Sequence, residues 1–314
     1  MSQRFRTILS VTLSLIAVAA LLQIFVFQKS LDFWVIQIFY GISYGALLFL
    51  LASGLSLIFG VMRIVNLAHG SFFLLGGYVA LTVIWTTGSW LLAIPLAALA
   101  IGAVGLVMER FFLRQVGFDP LRQVLLTVGF ALLFQQGSLD IWGGDNFFIE
   151  MPAYLNWSLR AGALYFPMYR IFMIALVALV GTLLWLLIEK TRLGAVIRAT
   201  VDDAEMARGI GIDTSRISMA VFGLGAFLAA MGGVIGGGFI GVFPGLDFEV
   251  LPLAFAVVII GGMGSLRGAL AGSIIVGLMD NVGKGLFPDW SYFTLYAPMV
   301  LILAIKPTGL FGRE

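Results

Sequence analysis

The sequence contains no cysteine and a single histidine, His69. The lack of cysteine excludes disulfides, thiol catalysis and thiolate metal sites, and one histidine excludes a multi-histidine metal site. Charged residues make up only 11% of the 314 residues, against about 25% in soluble domains. The net charge of +2 is too small to indicate nucleic-acid binding. We therefore expect no bound metal and no nucleic-acid partner.

A phosphate-binding loop is also missing. Such a loop needs the pattern Gly-x-x-x-x-Gly-Lys-Ser/Thr, in which backbone amides and the lysine hold the phosphates. The only Gly-Lys pair, Gly283-Lys284, is followed by Gly285 and lacks the leading glycine. The chain is thus expected to bind no cofactor itself, and any ATP and Mg would be bound by a partner. It also shows no paired catalytic carboxylates and no nucleophile with a base, so we expect no enzyme activity.

Hydrophobic residues dominate what is present, at 61% of the chain against about 45–50% in soluble proteins. The mean hydropathy is +1.07. These values predict an all-α, polytopic transmembrane helical bundle with some broken or re-entrant helices, forming one domain over 1–314. Because about 20 apolar residues cross a bilayer, we predict ten spans: 8–27, 35–59, 66–85, 90–109, 122–142, 164–188, 217–241, 249–263, 268–286 and 291–306. The first is read as a retained helix and not as a cleaved signal peptide.

Basic residues predict the orientation of these spans. With the N-terminus inside and ten spans, 14 of the 18 lysines and arginines fall on the cytoplasmic side, as the positive-inside rule requires. Removing or adding one early span would place the basic 109–122 and 189–216 loops outside. The sequence therefore predicts a multi-pass plasma-membrane protein, N-in and C-in, whose largest outer connection is 143–163.

One polar segment, 189–216, interrupts the apolar chain and holds five basic and five acidic residues. So much charge cannot lie in hydrocarbon, and the segment is too long for a tight turn. Within it, acidic residues open a short predicted helix, where they suit the positive end of the helix dipole, and glycines end it. This helix either docks into a groove on a partner or is an ordinary solvated loop helix. Its candidate residues are Asp202, Asp203, Glu205, Met206, Ala207, Arg208 and Gly211.

Glycine is concentrated in the second half, with 17 of 39 glycines in residues 221–285. Small residues recur every four positions in Gly225, Ala229, Gly233, Gly237 and Gly241, and again in Gly264, Gly268 and Gly272. Such ridges allow helices to approach closely. They indicate either packing within one bundle or a subunit interface or solute path.

Two stretches combine helix-breaking glycine with polar residues, Gly60 to Ser71 and Gly261 to Gly268. Non-helical backbone at membrane depth is tolerated where it is buried in protein or lines a cavity. Their similar placement suggests two related halves, 35–142 and 164–286. The candidate residues for a translocation path or a broken helix are Asn66, His69, Gly70, Gly261, Gly262 and Gly264.

The lone histidine and the few intramembrane acids each have two interpretations. His69 either satisfies broken backbone beside Asn66, a good cap residue, or takes part in proton relay or substrate contact. Asp140 and Asp280 fall near the outer ends of their spans, where they either anchor the helix at the interface or form a solute entrance.

Three groups of residues carry a resemblance to a known family. Glu205-Met206-Ala207 with Gly211 resembles the Glu-Ala-Ala-three residues-Gly motif of ATP-binding-cassette importer permeases, with Met at the middle position. Two longer matches lie elsewhere: Gly54-Leu55-Ser56-Leu57-Ile58-Phe59-Gly60-Val61 with Asn66-Leu67-Ala68-His69-Gly70, and Thr191-Arg192-Leu193-Gly194 through Gly211-Ile212-Asp213 with Gly261-Gly262-Met263-Gly264-Ser265 and Gly268. Together they are similar to the branched-chain amino-acid ABC permease family, which also includes urea and short-amide permeases. The likeness covers about residues 35–305.

That resemblance implies a translocating subunit of an importer in a bacterial inner membrane. It implies cytoplasmic ATPase subunits that contact 189–216, a second permease subunit, and a periplasmic or lipid-anchored binding protein that delivers an amino acid or amide. The family commonly has an acidic residue after Ala-His-Gly, whereas Ser71 follows here, which leaves a charge-based role at this position open. The alternative is a stand-alone secondary transporter or channel for a small polar solute, although that would leave the polar segment unexplained.

Overall fold

A computed structural model describes residues 29–117 and 119–312 of the chain. The long helices of the first part are α1 (Leu31–Met62), α2 (His69–Thr87), α3 (Trp90–Met108, continuing through a π-helical turn to Val116) and α4 (Pro120–Trp142). A hairpin of β1 (Ser158–Ala161) and β2 (Leu164–Pro167) precedes α5 (Met168–Lys190). The remaining helices are α6 (Arg192–Asp202), α7 (Ala204–Gly209), α8 (Thr214–Gly236), α9 (Leu246–Gly261), α10 (Leu266–Leu286) and α11 (Ser291–Ile305).

The all-α, multi-helix membrane bundle agrees with the prediction, but the count of ten spans is not confirmed. Among the described residues, six helices are long and apolar enough to cross a membrane, or seven if the bent pair α9 and α10 forms one span. That pair, which corresponds to the predicted spans 249–263 and 268–286, bends by 119° at its break, as in a broken span or a re-entrant loop. The last predicted span, 291–306, forms a helix of 15 residues, shorter than the roughly 20 residues that cross a bilayer. The predicted span 8–27 lies outside the described residues, and the N-in, C-in orientation stays a prediction.

Helix α8 lies at the centre, packed against α1, α2 and α3. Small residues bring the backbones together at each of these contacts, since a side chain on either partner would separate the helices. The facing pairs are Gly54 with Gly225, Gly76 with Ala230, and Gly105 with Ala226. The predicted ridge on α8 therefore packs inside this one bundle.

Helices α4 and α5 lie at the edge of the bundle. Their membrane-spanning windows are 17% and 22% buried, against 78% for α8. Large leucines such as Leu125 and Leu133 on α4 and Leu179 and Leu183 on α5 are exposed. An apolar outer face of this kind suits contact with lipid tails or with another membrane subunit.

The long connection between α4 and α5 contains a two-stranded β-hairpin, which an all-α prediction leaves out. Its hairpin pairs Ser158 with Pro167 and Ala161 with Leu164. Before the hairpin, Phe147 and Val242 exchange two backbone hydrogen bonds. The N–H of Phe147 donates to the carbonyl of Val242 at 3.0 Å, and the N–H of Val242 donates to the carbonyl of Phe147 at 2.7 Å. The connection thus folds back over the end of α8 and closes that end of the bundle.

Candidate translocation and coupling sites

The first predicted break lies between α1 and α2 and returns the chain into the bundle. The Nε2 of His69 donates to the carbonyl of Leu51, 2.8 Å away. Leu51 lies about 7 Å along the axis from the midpoint of the 32-residue α1. The break and the start of α2 are therefore at membrane depth, where non-helical backbone must be satisfied inside the protein.

Side chains in and near the break form hydrogen bonds with its backbone N–H groups. The Oδ1 of Asn66 accepts from the backbone N–H of Ala68 at 3.1 Å. The hydroxyl of Thr127 on α4 accepts from the N–H of Leu67 at 3.2 Å. Asn66 and His69 are fully buried, so both side chains hold the broken backbone in place.

A buried carboxyl group meets the start of α2 from the other half of the chain. Asp247, in the first turn of α9, is 2% exposed, and its Oδ2 accepts from the hydroxyl of Ser71 at 2.9 Å. A Cβ at Gly70 would clash with the carbonyl of Asp247, so a glycine is required for this close approach. Asp247 therefore brings a carboxyl group next to position 71.

Asp247 is the functional candidate that the sequence prediction missed. It lies two residues before the predicted span 249–263, and it is separated from Ser71 by 176 positions. Intramembrane acids are rare and mark solute or ion pathways. Its Oδ1 is one of several buried polar atoms without a hydrogen-bond partner among the described residues, and Asn66 Nδ2 and His69 Nδ1 at the first break are two others. We call Asn66, His69, Gly70, Ser71 and Asp247 the polar core.

The second predicted break, between α9 and α10, is closed by glycine contacts and by the tail. Gly261 and Gly268 leave no room for a Cβ on either side, and Gly264 approaches Gly60 at the end of α1. The N–H groups of Leu310 and Phe311 donate to the carbonyls of Ile260 and Gly261, each at 2.9 Å. Gly261, Gly262 and Gly264 therefore shape a bend and supply no side-chain chemistry.

The polar segment 189–216 forms two helices in place of the single one predicted. Thr191 caps α6, with its hydroxyl accepting from the N–H of Gly194 at 3.0 Å. A Cβ at Gly194 would clash with the carbonyls of Leu187 and Ile188, which explains the Thr191 to Gly194 motif as a tight corner between α5 and α6. Asp202 ends α6 and does not open the next helix.

Two apolar side chains are exposed on the protein surface at α7 and its C-terminal cap residue. Asp203 caps it, with Oδ1 accepting from the N–H groups of Glu205 and Met206 at 2.9 Å each. Ala207 is buried, whereas Met206 and Ile210 are 64% and 70% exposed. Two exposed apolar residues next to a charged rim are typical of a docking surface. Arg208 and Gly211 complete α7 and the turn that follows it, in which Gly211 has a φ of 90°.

Glu189 connects this segment to the second break. Its carboxylate lies 3.8 Å from Arg198 on α6 and 3.5 Å from Arg267 at the start of α10. Val201 of α6 also lies beside Gly60 at the end of α1. A displacement of α6 would therefore act directly on the ends of α1 and α10.

The two predicted entrance acids differ in environment. Asp140 is exposed and accepts from Gln136 at 3.0 Å. Asp280 is buried, with its Oδ2 2.7 Å from the Nζ of Lys284 one turn away. Neither belongs to the polar core.

Apolar helices that are broken at membrane depth, with buried polar side chains at the first break, are typical of membrane transport proteins. A sequence profile described as "branched-chain amino acid transport system / permease component" matches residues 37–303. The chain belongs to this family. Membership confirms the expected resemblance, and it confirms that the chain is a transport subunit and not an enzyme.

Individual relatives span nearly the whole chain. The permease protein BraD of Pseudomonas aeruginosa, of a high-affinity branched-chain amino acid transport system, is 27% identical over 88% of this chain and 95% of its own length. LivH of Salmonella typhimurium, described in the same words, is 28% identical over 88% and 95%. LivM of the same organism, a permease protein too, is 26% identical over 83% of this chain and 67% of its own length. No solved structure matches the chain.

Proposed function

We propose that this chain is the membrane-spanning permease subunit of an ATP-binding-cassette importer for branched-chain amino acids, with related amino acids or amides as the wider substrate class. A periplasmic or lipid-anchored binding protein delivers the solute to the outer face of a bacterial inner membrane. ATP with Mg is hydrolysed on separate cytoplasmic subunits. The observation that carries the proposal is the membership of the branched-chain permease family together with the exposed apolar pair on α7.

The coupling step begins at α6 and α7, the docking element for the ATPase. Closure of the ATPases moves this element, and the ion pairs of Glu189 with Arg198 and Arg267 carry the movement to the start of α10. The contact of Val201 with Gly60 carries it to the end of α1. The two breaks, which are the points where the helices can bend, then rearrange around α8.

The polar core is the proposed control point of the path. Gly70 and Ser71 on α2 meet Asp247 on α9, so a relative movement of the two helices makes or breaks one hydrogen bond to a carboxyl group. Two differently named permease proteins of Salmonella typhimurium, LivH and LivM, both resemble this chain. A second permease chain, identical or related, is therefore the proposed membrane partner.

Copurification with the neighbouring ATPase tests the docking role. In a double variant, Met206→Ser and Ile210→Ser, the exposed apolar area of α7 is removed while its Asp203 cap is kept. We expect loss of the ATPase from the purified complex and loss of ATP-dependent leucine uptake. Tyr154→Ser is the matched control, because Tyr154 is 60% exposed in the connection between α4 and α5. Unchanged assembly and uptake in the double variant would show that α7 is not the docking element, and uptake without any ATPase would favour the stand-alone transporter.

A further inference from the structure

Arg170 lies in a cavity at the end of the bundle that the hairpin covers. The cavity has a volume of about 380 Å³ and is lined by Tyr40, Asn156, Trp157, Ser158, Arg170 and Phe239 among others. This volume falls in the range of roughly 300–1,000 Å³ that is usual for small-molecule sites. Polar and aromatic side chains share its wall, so the cavity is suited to a ligand with both polar and apolar parts.

Among the described residues, the guanidinium of Arg170 contacts two aromatic rings and makes one side-chain hydrogen bond. It lies over the ring of Tyr40 at 4.4 Å and over that of Phe239 at 5.0 Å, measured to the ring centroids. One nitrogen, Nη1, donates to the hydroxyl of Ser43 at 2.8 Å. In the described part of the chain, no carboxylate lies within 4 Å of this guanidinium. A guanidinium offers five N–H donors in a planar fork that matches a carboxylate or a phosphate.

The position of Arg170 near the start of its helix also favours a bound anion. Arg170 is the third residue of α5, and a cation in the first turn opposes the helix dipole. An anion in the cavity would be attracted by both the guanidinium and the N-terminal end of the helix. Asp280 is not the partner of Arg170, since it pairs with Lys284; the Lys284 ammonium lies over Tyr44, whose ring is 6.2 Å from that of Phe239.

We infer that this cavity binds a single oxyanion group, a carboxylate or a phosphate, through Arg170. Resting on the proposed function, the carboxylate is that of the amino acid as it enters from the binding protein, with its apolar side chain against the aromatic wall. The other source of the same chemistry is the phosphate of a lipid headgroup. Both sources require the free edge of the guanidinium.

Thermal stability of the purified full chain in dodecyl maltoside tests the inference. The probes are leucine, isovalerate as a bare branched carboxylate, and leucinol, which lacks the carboxylate. The lipid arm uses nanodiscs of an uncharged glycolipid with and without phosphatidylglycerol. Arg170→Gln removes the charge, and Arg160→Gln is the matched control, because Arg160 lies over Tyr165 on the hairpin and does not line the cavity.

We expect leucine and isovalerate, but not leucinol, to stabilise the wild type and Arg160→Gln. Arg170→Gln should raise the apparent Kd about 10-fold or more, since hydrogen bonds to charged groups are the strong ones. Asn156→Phe keeps Arg170 but fills the cavity, so it should also abolish stabilisation, even if Arg170→Gln folds poorly. Stabilisation by phosphatidylglycerol alone, dependent on Arg170, would support the site and assign it to lipid.

Stabilisation by either class of anion that persists in both Arg170→Gln and Asn156→Phe would overturn the inference. So would the absence of any anion-dependent stabilisation in the wild type. This binding requires neither the ATPase nor transport. A failure of ATP-dependent uptake would therefore contradict the proposed function and leave the anion site standing, and the reverse also holds.

Discussion

Replacing Ser71 by alanine removes the hydroxyl that donates to Asp247 and leaves a buried carboxyl group without that partner. Both residues are at most 2% exposed, so water cannot replace the lost hydrogen bond. Replacing Asp247 by asparagine keeps an acceptor oxygen but exchanges the carboxyl group for an amide. The two changes therefore act on one contact, and their effects on the free energy of unfolding should not add.

The expected change in the free energy of unfolding follows from the type of hydrogen bond that is lost. Neutral interhelical hydrogen bonds in membranes average about 0.6 kcal/mol, whereas hydrogen bonds to charged groups contribute about 1.5–3 kcal/mol. For a 2.9 Å contact with a buried carboxyl group, we expect Ser71→Ala to destabilise by about 2 kcal/mol. Asp247→Asn should cost about 1 kcal/mol or less, and the double variant no more than Ser71→Ala alone. The coupling energy is then about 1 kcal/mol.

Reversible unfolding in mixed micelles, followed as denaturing detergent is added, gives the four free energies of the cycle. Ser53→Ala is the control, because the hydroxyl of this fully buried serine donates at 3.0 Å to Leu50 within its own helix. Ser53→Ala should show no coupling to Asp247→Asn. Effects of Ser71→Ala and Asp247→Asn that add within about 0.5 kcal/mol would refute the contact, and with it the polar core.

Three further outcomes follow from the coupling element. Gly194→Ala should displace α6 and reduce copurification of the ATPase, whereas Gly137→Ala on α4, with nothing within 4 Å of an added Cβ, should leave it unchanged. Asp203→Ala should destabilise α7 by about 0.5–2 kcal/mol, seen as faster amide exchange at its first turn, while Asp203→Asn keeps the cap and should not. Glu189→Gln should change the free energy of unfolding by under about 1 kcal/mol, because its ion pairs are exposed. The same variant should lower ATP-dependent uptake. Uptake equal to that of the wild type would contradict the linking role of Glu189 with Arg267.

Local patterns predicted much of the fold. The apolar runs marked the helices α1 to α5 and α8, and the glycines near Gly60 and Gly261 marked the two breaks, because helix-breaking residues act on their own neighbours. The size of the bend between α9 and α10, 119°, was not predicted, since it depends on the packing of Gly261 against Gly268 and on the returning tail. Short strands such as those around Gly162 carry too few residues to show a clear period.

The sequence could group candidate residues only where they are adjacent. Asn66, His69 and Gly70 form one motif, and their role in a translocation path stays a prediction. Asp247 meets Ser71 across 176 positions, and no local pattern reports such a contact. Arg170 was not singled out by the sequence, because its cavity exists only where the connection between α4 and α5 folds back onto the bundle.

Chemical accessibility of α7 tests the central claim most directly. Because the chain has no cysteine, Met206→Cys, Ile210→Cys and the control Tyr154→Cys each introduce a single thiol on a clean background. The proposed docking predicts that the first two thiols react readily with a maleimide in the isolated chain and are protected once the ATPase is bound, while the Tyr154→Cys thiol reacts equally in both states. Equal labelling of α7 with and without the ATPase, in a complex that still transports leucine, would contradict the claim that energy enters through this segment.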